Sequence, residues 1–420
     1  MARLRERLFP NPGFYGWRVV GICFLCTALT SPGQSFVLSL YIDPLMADLG
    51  MSRVGISSLY ALCTLAAAAC LPVVGGWADR FPARRYLPTV LILLGGAILF
   101  LASVQGVVML ALAFFALRLL GQGSVSLGTL TVTVRWFRRY RGRALALVTL
   151  GFAAGELVFP GAIYWLTERF GWRGSLLVIG ALYLFLFPPL VWRIVREPRA
   201  GDGAPDGEDA EAARRSGYVE RPDPGFSRAE ALQRPVFWGM LACMAVVPLV
   251  ITAVVFHQVA IFASMGWATV LVPIAFAGFA LGGVVGTYGT GLLLERIPVR
   301  FGVPISMSFV LAAFLSLLLP LAAAPAAILY GTLLGLCAGS TGATNELVWP
   351  DYFGIQAVGA LKGVVNAVRN GATAAGPPLA ALLVTDIGLF TWSFVLFAAL
   401  CATAAVVGAF LKPPEAVGGR

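Results

Sequence analysis

The chain has 420 residues, of which 59% are hydrophobic and only 12% charged. A soluble domain carries about 25% charged residues, so too little polar surface is left for a water-soluble fold, and a polytopic membrane protein is implied. The net charge of +10 does not point to nucleic acid, because the basic residues cluster in short loops between apolar runs, where they set orientation.

A bilayer crossing needs about 20 apolar residues, and twelve runs qualify: 17–41, 54–78, 86–104, 107–132, 142–166, 172–194, 237–263, 268–293, 301–322, 325–350, 358–384 and 388–411. They are too long for strands, and their Ala, Leu and Gly content suits packed helices. The expected fold class is an all-α membrane protein of twelve transmembrane helices in two pseudo-symmetric six-helix bundles. The basic N-terminus leads into a full-length run with no small-residue cleavage site, which reads as an uncleaved first span. Cys23 and Cys26 have CxxC spacing, but inside span 1, where they read as small packing residues.

Within span 1, Ser31-Pro32-Gly33-Gln34-Ser35 interrupts the apolar run. Pro and Gly break the helical ladder and turn backbone groups toward a cavity, which makes Gln34 a candidate substrate ligand; a simple kink is the alternative. Tyr41 and Tyr60 are candidate outer-gate groups. Between spans 2 and 3 lies Gly75-Gly76-Trp77-Ala78-Asp79-Arg80, followed by Arg84 and Arg85. Span 4 carries Arg118 and then Gly121-Gln122-Gly123, with Gln122 a candidate substrate contact. Span 5 carries Gly151, Gly155, Glu156 and Pro160.

Residues 197–235 form the one long hydrophilic stretch, dividing an N-terminal bundle (1–195) from a C-terminal one (236–420) by a cytoplasmic linker (196–235). Its Gly-, Pro- and acid-rich part, 201–209, is expected to be disordered, and Ser227–Gln233 to form a short surface helix. In the second half, span 7 holds His257-Gln258, near the outer face, where an imidazole could sense protons or cap a cavity mouth. Gly291, Glu295 and Arg296 repeat the Gly, acid and Arg of the span 2–3 loop. Glu346 is expected to pair with Arg300 or Lys362. Arg369 lies in span 11 between Asn366 and Asn370. The repeat extends to Trp136-Phe137 with Tyr352-Phe353 and to Gly151–Pro160 with Gly371–Pro377, at nearly constant offset, which indicates a duplicated bundle.

At a rise of about 1.5 Å per residue, Arg118, Glu156 and Arg369 each fall near the middle of their spans. Ionisable groups at that depth are costly and line a watery cavity or pair. An Arg118–Glu156 pair is one reading; it leaves Arg369 without a counter-charge, which an anionic substrate would supply. The Arg-rich loops fall on one side when both termini are placed in the cytoplasm. The chain carries one His and so no His-based metal cluster, and it lacks a GxxxxGK[ST] phosphate loop. Neither an enzyme nor a cofactor is expected.

The span 2–3 loop with its echo at 291–296, the Arg118 motif and the Gly-rich span 5 together resemble the major facilitator superfamily. Tyr15-Gly16-Trp17-Arg18 before span 1 and Gly50-Met51-Ser52-Arg53 before span 2 are similar to its monocarboxylate-porter and oxalate:formate-antiporter branches. The resemblance implies a monomeric secondary transporter working by alternating access; abundant Arg, Ala and Gly with only two Lys indicate a bacterial genome, and so a bacterial inner membrane. Its partners would be a small organic anion, a proton and the lipid bilayer. It implies a cytoplasmic gate at Asp79, Arg80, Arg84, Arg85, Glu295 and Arg296, substrate contacts at Arg369, Asn366, Asn370, Gln34, Gln122 and His257, and proton coupling through Glu156 and Arg118. Span 8 has no charge, unlike the span 8 of dianion exchangers, which argues against a dicarboxylate and towards a monoanion or a zwitterion; a monocarboxylate is the expected substrate. A multidrug or amphiphile antiporter and a non-transporting sensor are the alternatives.

Overall fold

The computed structural model describes residues 14–137, 141–198, 226–384 and 390–414, with the side chains of 79, 141 and 355–360 also outside the description. The expected disordered stretch 201–209 and the side chain of Asp79 therefore lie outside the described residues. Among the described residues there are helices and no strand.

The helices are α1 (Gly16–Ala28), α2 (Ser35–Leu38), α3 (Ile42–Leu49), α4 (Arg53–Arg80), α5 (Ala83–Ala102), α6 (Val107–Leu117), α7 (Ser126–Trp136), α8 (Arg141–Phe185), α9 (Phe187–Ile194), α10 (Arg228–Gln233), α11 (Pro235–Phe256), α12 (Gln258–Ser264), α13 (Leu271–Leu294), α14 (Gly302–Ser316), α15 (Ala323–Phe353), α16 (Ile355–Leu382) and α17 (Thr391–Phe410). Nine described helical segments are long and apolar enough to cross a membrane, and a tenth is the pair Gly16–Gly33 and Ser35–Leu49, bent by 46°. One of the nine, Gly142–Ile194, runs to 53 residues. It turns at Gly171, whose φ of 69° suits a residue without a β-carbon, and so supplies two crossings. The 28-residue α16, which carries Lys362 and Arg369, is the remaining membrane-length helix. Apolar side chains point outward freely: Phe185, Phe410 and Leu318 are 77%, 78% and 80% exposed, as a lipid-facing surface requires.

The chain forms two compact units, Met1–Pro44 with Ala66–Val219, and Leu45–Leu65 with Glu220–Arg420. Residues 45–65 therefore group with the second unit, although they precede most of the first in sequence. In the first unit, α8 lies against α1 with no side chain between them. A β-carbon at Gly151 would collide with the Phe24 carbonyl, and one at Gly155 with Ser31 Oγ. This is the close approach that small residues permit.

The second unit repeats the device. Gly376 of α16 sits on the Leu249 carbonyl of α11. Its tightest contact joins α13 to α15. Gly278, Gly282 and Gly286 meet the backbone around Ile328, Thr332 and Leu336, while Gly331, Gly335 and Gly339 meet Ala275, Phe279 and Gly283. Glycines at intervals of four line one helical stripe, and here two stripes interlock. Thr290 and Ser340 close one end of the contact with a 2.6 Å hydrogen bond.

Before α11, the short helix α10 has the expected start: Ser227 and Glu230 form a reciprocal cap, satisfying two orphan N–H groups. The backbone N–H of Ser227 bonded to Glu230 holds that carboxyl below its usual range.

Candidate functional site

In the first unit the polar site is organised by the break in span 1. After α1 the chain makes a single 3₁₀ turn, Ser31–Gly33, and Gln34 is extended, with φ −93° and ψ 153°. Pro32 has no N–H to donate, and the change of geometry strips several carbonyls of their α-helical partners. In an apolar medium each must be satisfied within the protein. Side chains do this one by one. Thr30 Oγ1 donates to Thr27 O at 2.7 Å, Ser31 Oγ to Ala28 O at 2.6 Å, and Tyr183 OH to Leu29 O at 2.7 Å. Arg118 Nη1 donates to Gly33 O at 2.9 Å.

Arg118 itself, 2% exposed, opens a π-helical stretch, Arg118–Val125. Such stretches are rare and occur often at functional sites. Ser124 Oγ reaches back five residues to Leu119 O at 2.8 Å. Gly121 lies backbone to backbone on Gly33, and a β-carbon on either would strike the other strand of chain. The broken span 1 and the widened span 4 thus fit one another, with Gln122 half-buried on the π stretch and Gln34 half-buried beside the break. Gln34 Nε2 reaches Thr30 Oγ1 at 3.5 Å.

Glu156, half-buried on α8 next to Gly155, has neither a hydrogen bond nor an ion pair among the described residues. The alternative of an Arg118–Glu156 pair is therefore not what the structure adopts, because Arg118 is drawn to the carbonyl exposed at Gly33. Tyr41, a candidate outer-gate group, is buried and bonded to Ser175 at 3.0 Å. That tie braces the region after the break.

In the second unit Arg369 is half-buried at the middle of α16, with Asn370 half-buried beside it and Asn366 exposed. No ion pair within 4 Å is found for Arg369 among the described residues. The acid whose field reaches it is Glu346, and that carboxylate is already bonded to Lys362. Of the two partners expected for Glu346, Lys362 is the one present.

His257 is 1% exposed and lies inside the unit. It marks the break between α11 and α12, with Nε2 2.9 Å from the Pro377 carbonyl of α16. Phe256 and Phe390 pack its ring at 5.2 and 5.4 Å. Tyr60, on the part of α4 that belongs to this unit, is buried with its ring 4.6 Å from that of Phe256.

The candidate gate residues other than Asp79 are all described. Arg80, Arg85, Glu295 and Arg296 are exposed, and Arg84 lies over the Trp192 ring at 4.1 Å while its Nε donates to Trp192 O at 3.1 Å. Nearby is an acid not singled out in the sequence. Glu197 accepts from the Ala83 N–H, at the start of α5, at 2.9 Å, and from Arg135 Nη1 at 3.1 Å. A carboxylate at a helix N-terminus is favoured by the aligned peptide dipoles. Arg135 Nη2 donates on to Ala78 O at 3.1 Å, so one arginine joins α7, the end of α4 and the segment after α9.

The family model of the Major Facilitator Superfamily matches residues 23–339. The chain belongs to the Major Facilitator Superfamily. The matched stretch holds the broken span 1, the π stretch and Glu156, while Arg369 lies beyond it. Among curated proteins the chain of this superfamily member is 30% identical over 179 residues to "Monocarboxylate transporter 11" of Mus musculus, covering 43% of this chain and 40% of that one. It thus spans less than half the length of that relative. To "Monocarboxylate transporter 13" of Bos taurus it is 23% identical over 412 residues, covering 96% and 89%. Among solved structures, a bacterial homologue of the human lysosomal transporter Spinster aligns with a TM-score of 0.69 at 17% identity, over 94% of this chain and 97% of that one. At that identity the likeness bears on the fold, which is that of a multi-pass transporter of this superfamily.

Proposed function

We propose that the protein is a secondary active transporter that carries a small organic anion, most simply a monocarboxylate, together with a proton, by alternating access. The observation that carries this reading is Arg369. It sits at the centre of a membrane-length helix and has no ion pair among the described residues, while the acid nearest in effect is engaged by Lys362. An arginine at such depth is costly unless something neutralises it, and its fork of donors matches a carboxylate. The relatives named as monocarboxylate transporters favour the same substrate class.

Asn370 and Asn366 are proposed to complete the carboxylate site around Arg369, with His257 holding α16 in place. Gln34 and Gln122 are also proposed as substrate contacts. Glu156 is the proposed proton carrier, since no partner fixes its charge. In this reading Arg118 maintains the break that shapes the site. Asp79, Arg80, Arg84, Arg85, Glu295 and Arg296 are proposed to act at a cytoplasmic gate. The protein would be monomeric and would lie in a bacterial inner membrane with both termini in the cytoplasm, as the distribution of arginines favours.

The test is a thermal-shift titration of the purified protein with lactate-like monoanions, dicarboxylates and lipophilic cations. The parent is expected to be stabilised by the monoanion, and Arg369→Ala not to respond. Equal stabilisation of both proteins by the monoanion would remove the anion reading, and a response to cations alone would favour an amphiphile antiporter.

A further inference from the structure

We propose that the rim formed by the end of α4, the start of α5 and the end of α9 binds the phosphate of an anionic phospholipid headgroup. Four arginines gather there: Arg80 closes α4, Arg84 and Arg85 open α5, and Arg193 lies in the last turn of α9. None of the four makes an ion pair among the described residues. The described acid of this rim, Glu197, is already shared between the Ala83 N–H and Arg135, so it neutralises none of the four.

Arg84 is built to receive a ligand. Its guanidinium carbon lies over the Trp192 ring, 4.1 Å from the centroid, and its Nε–H is bound to the Trp192 carbonyl at 3.1 Å. Stacking and that hydrogen bond together fix the plane and direction of the fork. Neither Nη nitrogen has a partner among the described residues. Two parallel N–H donors held in this way suit a phosphate oxygen pair.

The surroundings select a lipid over a soluble anion. Trp77, Phe81 and Trp192 are 52%, 53% and 51% exposed beside the arginines. Exposed tryptophans next to Arg mark the level of the headgroups, with rings in the interface and cations at the phosphates. Basic groups between transmembrane helices at that depth attract anionic lipids. A phosphodiester whose acyl chains run down the outward apolar face of α5 and α9 satisfies both chemistries at once, whereas a free phosphate uses only the arginines.

The test is native mass spectrometry of the full chain released from phosphatidylcholine vesicles doped with phosphatidylglycerol, with thermal unfolding of the same samples. The parent is expected to retain phosphatidylglycerol over phosphatidylcholine by severalfold. Arg84→Gln with Arg193→Gln should abolish that preference while keeping the unfolding temperature measured in neutral detergent. Arg84→Lys, which retains charge but loses the stacked fork, should fall between. Should the double variant unfold early, Trp192→Leu supplies the same comparison, because it removes the platform and leaves all four charges. Unchanged lipid preference in a folded variant overturns the proposal. So does an Arg84-dependent thermal shift with inorganic phosphate that matches the one with phosphatidylglycerol, since the site would then be one for soluble anions.

Discussion

His257 and Pro377 are joined across two interrupted helices, with 2.9 Å between the imidazole Nε2 and the proline carbonyl. Pro377 and Pro378 remove two N–H donors from α16, so the carbonyls one turn earlier lose their ladder partners. The backbone of α11 breaks at His257 itself, where φ is −100° and ψ 12°. The hydrogen bond therefore ties one weak point to another, and it fixes the approach of α16 some two turns from Arg369. Replacing His257 by Phe keeps ring packing against Phe256 and Phe390 but deletes the bond, at a cost of about 1–2 kcal/mol. The unfolding temperature should fall and monoanion affinity should weaken, while His257→Gln, which retains a donor, should recover part of both. Equal behaviour of the Phe and Gln variants in a thermal-shift titration would show that packing alone is at work.

Arg118 offers a parallel test in the first unit. Its Nη1 satisfies the Gly33 carbonyl, an acceptor created by the 3₁₀ turn at Pro32. Arg118→Met should cost about 1–3 kcal/mol, the penalty for a buried acceptor left unmade. Amide exchange should rise at Gly33–Ser35 and less elsewhere. Arg118→Lys keeps a donor and should stay closer to the parent. If exchange around Gly33 is unaltered in the Met variant, the guanidinium does not hold the break.

Much of this site was readable from residue types. Pro32-Gly33 inside an apolar run announced the break, Gly151 and Gly155 the close helix contact, and Arg369 its own exceptional position. The partners that satisfy the freed carbonyls were not readable, since Tyr183 is 154 residues from Leu29 and Arg118 is 85 from Gly33. The bracing role of Glu197 was hidden for the same reason: its donors lie 62 and 114 residues away. The π stretch at 118–125 has no residue signature, because it arises from fitting one helix to the break in another. The interlocked glycines of α13 and α15 are a different case. Gly278, Gly282, Gly286 and Gly331, Gly335, Gly339 stand at regular intervals of four in the sequence, a signal carried by spacing alone and by no ionisable group.

Glu156, the proposed proton carrier, offers a test of coupling. Its carboxyl has no hydrogen bond or ion pair among the described residues, so its charge can follow the bound proton. Glu156→Gln should abolish uphill accumulation in proteoliposomes under an imposed pH gradient. Exchange of labelled against unlabelled substrate should continue, because it needs no net proton movement. Retained uphill uptake would move the coupling group elsewhere.

The glycine stripes make the sharpest stability prediction. A β-carbon at Gly335 would run into the Phe279 carbonyl and within 2.8 Å of the Gly283 nitrogen. Both obstacles are backbone, so neither can rotate aside, and α13 and α15 must separate along their length. Overpacking typically costs about 1–3 kcal/mol, and Gly335→Ala should reach the upper end because the Thr290–Ser340 bond stretches with it. Gly342, seven residues further along α15, has nothing within 4 Å of its hypothetical β-carbon. Gly342→Ala should be neutral or slightly stabilising, since it adds helix propensity. Size-exclusion profiles and unfolding temperatures of the two variants in the same detergent check this. Equal stability of the two would mean that the contact yields cheaply, and that the two helices are free to move against one another.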